Sequence, residues 1–405
     1  EGEQEAGKPW PKNWYEGYRG IVNMRKAVEL SINCCAVQLY TEMDPQWCVD
    51  AIQNMGVTSL VISGPVSDIN ASALALGGMT KGISPLEMTA AYETIANYGV
   101  YTEPVVYTTV TNKRGDVILR KDPITRRVFD ESVASLMGDI LRTSVTDGLA
   151  TSAKLASQPS AGKTGTTSER YDLWFCGYTP QYSGSTWIGN DVNISLDRGS
   201  GAAAKIWALV MEQVGAMSER REFEMRGEFE TATVDRYSGK LMSELSEKDQ
   251  RGVALTEKFI KGTVPTEEDD AHVMVHVCAD SGYLATPFCP ITYDKLAIIR
   301  PGGSSWEKLL VLYNFKNLKI ESEPDAIHDA PEYYCPLHNP SPDVYEVSPL
   351  YEAEGGFSYD ETIGGETIPT EPDPGTYDPG EYNPYDPSTW GTDPDPENGE
   401  PGEFN

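Results

Sequence analysis

Residues 160–189 read SAGKTGTTSERYDLWFCGYTPQYSGSTWIG, and the fold is decided there. Ser160–Thr167 is a short run of small residues, Leu173–Thr179 is aromatic and compact, and Ser183–Gly189 is a third run. Ser168-Glu169-Arg170 and Pro180-Gln181 are natural turns between them. Three such runs predict an antiparallel meander. Upstream, Asp130 is placed to cap a helix whose Val133, Leu136, Met137, Ile140 and Leu141 recur at helical spacing. Downstream, a helix is expected from about Ala202 to Val214, with Ala202, Ile206, Leu209 and Val210 on one face. Helices, then a meander, then a closing helix argue for an α+β fold with helices packed on a sheet.

Further upstream the helix boundaries are written in local chemistry. Ser84-Pro85-Leu86-Glu87 is a capping box with proline at the first helical position, and the helix it opens stops at Gly99. Asp44-Pro45 starts another helix that Gly56 ends. Asn23 is expected to cap a short helix through Leu30, with Met24, Ala27, Val28 and Leu30 inward, and an apolar helical stretch follows from Cys34 to Met43. Val105–Thr111 and Val117–Leu119 flank Lys113-Arg114-Gly115-Asp116 as a hairpin.

Beyond the closing helix the composition changes. Residues 218–240 are charged and irregular and read as a linker. Residues 241–340, with strand-like runs at His272–Val277 and Leu309–Tyr313, read as a small β-rich module. Residues 341–405 hold 17 Asp/Glu, no Lys or Arg, and 11 of the 28 prolines. Such an acidic Pro/Gly/Tyr-rich tail buries too little apolar surface to offset chain ordering and is expected to be disordered. The formal net charge is −30, and without a basic patch duplex nucleic acid is excluded as a partner. No run approaches the ~20 apolar residues that span a bilayer.

Lys163-Thr164-Gly165 alone is a weak signal, because the triplet arises by chance. Here it sits in a small-residue strand ahead of Asp172-Leu173-Trp174-Phe175-Cys176-Gly177-Tyr178 and Trp187-Ile188-Gly189-Asn190-Asp191. Ser31-Ile32-Asn33 is reached through Tyr18-Arg19-Gly20-Ile21-Val22 and Arg25-Lys26-Ala27. Between the two stand Leu76-Gly77-Gly78, Gly82-Ile83-Ser84-Pro85-Leu86-Glu87-Met88, Ala90-Ala91-Tyr92 and Asn97-Tyr98-Gly99-Val100-Tyr101. In this order and spacing, from about Trp10 to Val214, the chain resembles the transpeptidase domain of bifunctional, class A penicillin-binding proteins. The resemblance implies the penicillin-binding/serine β-lactamase-like fold, with residues 1–217 as its C-terminal part. It also implies three active-site elements, S-x-x-K, S-x-N and K-T-G. Residues 31–33 match the second and residues 163–165 the third.

The roles implied are those of serine acyl transfer on peptidoglycan stem peptides ending in D-Ala-D-Ala, with β-lactams as substrate mimics. Lys163 supplies positive charge near the terminal carboxylate, and the Thr164 and Thr166 hydroxyls donate to it. Gly165 leaves the strand edge open for substrate to add as a strand. The Thr166 N–H is one oxyanion donor, and Thr167 extends the substrate-binding strand. Ser31 relays a proton toward the leaving amine, and Asn33 bonds the substrate amide. Taken alone, a Ser-x-Asn between helices is a cap or turn and a strand-edge lysine is solvated; their joint context carries the functional reading. Phe175, Trp174 and Trp187 are expected in the sheet core. These proton transfers need only Ser, Lys and Asn, so no metal or organic cofactor is implied.

Residues 1–30 contain no serine. Ser160-Ala161-Gly162-Lys163 shares its lysine with the third element, and Ser305-Trp306-Glu307-Lys308 follows all the others; neither is assigned as nucleophile. The expectation is that the nucleophilic Ser-x-x-Lys, a glycosyltransferase domain and a membrane helix precede Glu1. The chain as given would then be inactive, and the full protein anchored on the outer face of the cell membrane. The alternative is a serine-less penicillin-binding sensor or scaffold of the cell envelope. The long extension and the Arg19-Gly20 and Trp187–Gly189 context favour a transpeptidase over a β-lactamase.

Seven cysteines are present. Cys34, Cys35, Cys48 and Cys176 sit among apolar residues and read as small core residues. Cys278, Cys289, Cys335 and His338 are zinc ligands by type, and Cys335-Pro336-Leu337-His338 has ligand-like spacing. Ten residues separate Cys278 from Cys289, however, and a disulfide among the three suits an extracytoplasmic protein better. The sequence assigns no metal ligand, and free thiols are the third possibility. Similar Cys/His-bearing tails follow some transpeptidase domains of Gram-positive-type bacteria.

Overall fold

The computed structural model describes residues 10–15, 19, 21–299, 329–331 and 333–338. Tyr18, Gly20, the runs Ser305–Lys308 and Leu309–Tyr313, and the acidic tail lie outside the described residues. Four helices open the described chain, α1 (Met24–Glu29), α2 (Asn33–Thr41), α3 (Pro45–Asn54) and α4 (Ala71–Leu74), followed by α5 (Pro85–Ala96). The local signals for their starts act as read. Asn23 Oδ1 accepts from Lys26 N at 2.7 Å, and Asp44 Oδ1 from Gln46 N at 2.9 Å. Ser84 and Glu87 close a reciprocal capping box. Four short strands, β1 (Val100–Thr102), β2 (Thr109–Thr111), β3 (Val117–Arg120) and β4 (Thr125–Arg127), pair β1 with β4 and β2 with β3. They lead into α6 (Glu131–Thr146).

The meander is β5 (Ala161–Thr166), β6 (Asp172–Tyr178) and β7 (Ser183–Gly189), antiparallel in that order, with α7 (Gly201–Gly215) closing it. Helices α5 and α6 pack on one side, and α7 lies over β6 and β7. Phe175 and Leu173 are fully buried with Ala203, Ala204, Trp207 and Met211 of α7. Gly162, Gly177 and Gly184 stand opposite one another across the three strands. A Cβ at Gly162 or Gly177 would come within 2.6 Å of the Phe175 ring, and one at Gly184 within 3.2 Å of Trp207 Nε1. This bare row lets Phe175 and Trp207 meet edge to face, ring centres 4.9 Å apart, while Trp207 Nε1 donates to the Gly184 carbonyl at 3.0 Å.

Three expected helix faces are corrected by this packing. Val133 is exposed; the inward residues of α6 are Ala134, Ser135, Leu141, Ser144 and Val145. In α7, Ile206, Leu209 and Val210 are exposed, and the Trp207 side faces the sheet. In α1, Met24 is exposed and Glu29 is buried, with its carboxylate 3.1 Å from Lys26 Nζ. Small residues and a hydrogen-bonded tryptophan allow closer approach than the larger aliphatics do. The helix that Asp130 precedes forms, but the Asp130 side chain makes no capping bond.

The C-terminal module pairs β8 (Phe229–Asp235) with β9 (Ala254–Ile260), and β10 (His272–Cys278) with β11 (Thr292–Ile298). Strand β8 falls within 218–240, the stretch read as linker. Its alternating Phe-Glu-Thr-Ala-Thr-Val places Val234 in the core and Glu230 and Thr231 at the surface. Small apolar clusters hold the module: Tyr237, Val253, Ala271 and Ile298, then Val275, Val277, Leu284, Ala297 and Ala330. A four-membered charged cluster joins it to the first domain. Arg25 of α1 bonds Glu257 of β9 at 2.8 Å and Asp139 of α6 at 2.8 Å, and Lys258 reaches Asp139 at 2.9 Å. Among the described residues no helix is long and apolar enough to cross a membrane.

Candidate active site

The site is assembled where the end of α1 meets the open edge of β5. Helix α1 stops in a paired terminal motif: Ser31 N donates to the Val28 carbonyl at 3.2 Å and Ile32 N to the Ala27 carbonyl at 2.9 Å. That motif needs a left-handed residue, usually glycine, at the position Ser31 occupies, and Ser31 has φ 52°. Ile32 and Ala27 are both buried and pin the turn. At a residue with a side chain that conformation costs about 1–2 kcal/mol.

The Ser31 hydroxyl accepts from Lys163 Nζ at 2.7 Å. Lys163 also donates to the Thr164 carbonyl at 3.1 Å. Burial pushes the Lys163 ammonium down to about 8 from its ordinary 10.5.

Among the described residues, strand β5 is the sheet's edge, paired only with β6. Thr167 N donates to the Asp172 carbonyl at 3.1 Å, which fixes the phase of the ladder. By the antiparallel alternation, Thr164 and Thr166 turn their N–H and C=O groups away from β6, toward the open edge. The Lys163 bond to the Thr164 carbonyl agrees with this phase. Gly165 faces Trp174 across the ladder; a Cβ there would lie 3.2 Å from Trp174 Cβ. Thr164 is buried and Thr166 exposed.

Other expected residues sit differently. The Asn33 side-chain amide donates to the Lys12 carbonyl at 2.7 Å, not to the Ser31–Lys163 pair. Thr167 Oγ1 accepts from Asp172 N at 2.8 Å, and Asp172 accepts from Trp187 Nε1 at 2.8 Å, so Thr167 ties the hairpin end. Phe175 is in the core as expected. Trp187 is not: it is 39% exposed, with Trp174 beside it, ring centres 6.4 Å apart. The two indoles wall the sheet next to Gly165. Their signal in the sequence is positional, since both occupy the cross-strand row of Gly165.

Residues 1–212 match the family model for the penicillin binding protein transpeptidase domain, and residues 228–274 match the penicillin-binding protein 1A C-terminal domain. The chain is 36% identical over 292 residues to penicillin-binding protein 1A of Clostridium botulinum strain Hall, covering 70% of this chain and 34% of that protein. It is 32% identical over 263 residues to penicillin-binding protein 1A of Aquifex aeolicus, covering 64% and 34%. The chain thus spans about a third of the length of these curated relatives. The crystal structure of penicillin-binding protein 1A from Haemophilus influenzae aligns with TM-score 0.54 at 21% identity, over 66% of this chain and 44% of that one, a likeness of fold.

Proposed function

The chain belongs to the penicillin-binding protein transpeptidase family, in its class A branch, and from that premise we propose that it supplies one wall of a D,D-transpeptidase site that cross-links peptidoglycan stem peptides in the cell envelope. The observation that carries the proposal is the 2.7 Å Lys163–Ser31 pair beside an unpaired strand edge. A stem peptide ending in D-Ala-D-Ala adds along β5 at Gly165, with its terminal carboxylate toward Lys163 and the Thr164 and Thr166 hydroxyls. A serine oxygen attacks the penultimate carbonyl carbon, and the oxyanion is received by the Thr166 N–H and the nucleophile's own N–H. The attacking serine's proton is handed through the relay to Ser31, which protonates the departing amine as the C–N bond to the terminal D-Ala breaks. An acceptor amine then displaces the serine. Asn33 joins the substrate amide once its own amide releases the Lys12 carbonyl.

No serine stands among residues 1–30, and Ser31 is committed to the proton relay. The nucleophile of the reaction is therefore not among the residues assigned here, and this polypeptide by itself is proposed not to acylate. A fluorescent penicillin tests both statements on a denaturing gel. The 405-residue chain should remain unlabelled, and covalent labelling of it would overturn the second. A longer polypeptide carrying Ser-x-x-Lys ahead of residue 1 should label, and its Lys163→Ala variant should label at least about 100-fold more slowly. Equal labelling of that variant would sink the site assignment, and fast nitrocefin hydrolysis would make the longer protein a β-lactamase instead.

A further inference from the structure

We propose that Cys278, Cys289, Cys335 and His338 form a structural zinc site that closes the C-terminal module. Three separate segments supply the four ligands. Cys278 is the last residue of β10, Cys289 lies in the loop before β11, and Cys335 and His338 come from the 333–338 segment. The ten-residue gap between the first two, which argues against a knuckle in the sequence, is absorbed by a folded-back loop. Gly282 takes φ 73° and donates to the Cys278 carbonyl at 2.8 Å, and Leu284 bridges back to Val277. Tyr334 pairs with the other side of Leu284, and Cys335 N donates to the Leu284 carbonyl at 2.8 Å. Backbone pairing thus delivers the third and fourth ligands.

The distances suit one tetrahedral ion. All four ligand atoms lie within 4.8 Å of one another. His338 Nδ1 is 3.4 Å from Cys278 Sγ and 3.4 Å from Cys335 Sγ. Zinc bonds of ~2.3 Å to sulfur and ~2.0 Å to nitrogen give a tetrahedron whose S–N edge is about 3.5 Å. A disulfide instead needs two sulfurs at about 2.05 Å, and all three cysteines are free.

The surrounding groups favour thiolate ligands. Ser281 Oγ donates to Cys335 Sγ at 3.1 Å, and Thr286 N to Cys289 Sγ at 3.2 Å. Asp280 Oδ2 stands 3.5 Å from His338 Nε2. It is the carboxylate that orients a metal-bound imidazole through its far nitrogen. Four protein ligands, with Cys278 and Cys335 fully buried, leave no open coordination position, which marks a structural rather than a catalytic site. The module's small clusters explain the use of such a staple. By contrast, His272 among Asp235, Asp249 and Asp269 has both ring nitrogens on carboxylates, each at 2.9 Å, so its ring is already engaged.

The test is metal content of the full chain, loaded with zinc chloride and exhaustively buffer-exchanged. About one tightly held zinc per chain is expected, with three of the seven thiols protected from alkylation until a chelator is added. Cobalt loading should give the charge-transfer absorption of thiolate-bound tetrahedral cobalt. Cys289→Ser and the double variant Cys278→Ser/Cys335→Ser should each lose zinc at least tenfold in affinity. No retained zinc overturns the proposal. So does full zinc retention in the double variant, which would place the ion on the acidic tail. Five reactive thiols in denaturant instead of seven would mean a disulfide and overturn it as well. The unaltered chain's zinc content and thiol count decide the matter even where a variant fails to fold.

Discussion

Ser31 does two jobs with one backbone conformation: it terminates α1 and presents its hydroxyl to Lys163. Ser31→Gly and Ser31→Ala both remove the hydroxyl, but only glycine accepts φ 52° without strain. The glycine variant should therefore be the more stable of the two by about 1 kcal/mol, read as the difference in denaturant midpoints at equal slope. Equal stability would mean the left-handed turn is not retained. Ser31 and Lys163 are legible in the sequence because their triplets stand in a specific context. The bond of Asn33 to the Lys12 carbonyl is not, since it depends on how a segment without periodicity folds back over α2.

Helix α5 shows which signals act locally and which do not. Its start is fixed by neighbours in sequence. Burial would raise the Glu87 carboxyl, but hydrogen bonds from Thr58 and Ser84 outweigh it and hold the group down at about 2. Two turns later, burial pushes Glu93 up to about 7, and its Oε2 has no hydrogen-bond partner. With the folded value above the ordinary 4.5, the native state binds the extra proton between those pH values. Stability contributed by protonated Glu93 is present below about 4.5 and lost as pH rises through about 7. Glu93→Gln should remove that loss: at pH 8 it should melt about 2–4 °C above the parent, and at pH 4 the two should coincide. A constant offset across pH would contradict this. Nothing in the sequence flags Glu93, because its burial comes from tertiary packing. The same limit explains α6 and α7, whose caps and lengths follow local rules. Their buried faces carry Ala134, Leu141 and Trp207 and leave Val133, Ile206, Leu209 and Val210 exposed.

At the scale of the whole molecule, two ion pairs, Arg25–Glu257 and Lys258–Asp139, couple the C-terminal module to α1 and α6, and Arg25–Asp139 joins those two helices. Arg25, Asp139 and Glu257 keep less than a fifth of their side chains exposed, so solvent screens them only in part. Arg25→Ala should cost about 1–3 kcal/mol, seen as a lower melting temperature. Protease cleavage between residues 215 and 229 should also become faster. Unchanged melting and cleavage would mean the two parts are held elsewhere. The meander that fixes the architecture was legible because its turns and alternation are short-range. The module's entry strand was not, since β8 is stabilised by β9 some twenty residues on. The edge of β5 carries one more consequence. The outward N–H groups of Thr164 and Thr166 and the Thr166 C=O are indifferent to whose backbone completes them, so such an edge is also a template for self-association. An ammonium beside that edge repels its own copy in a neighbouring molecule. Lys163 Nζ, 3.1 Å from the Thr164 carbonyl, stands where such a second backbone would have to dock.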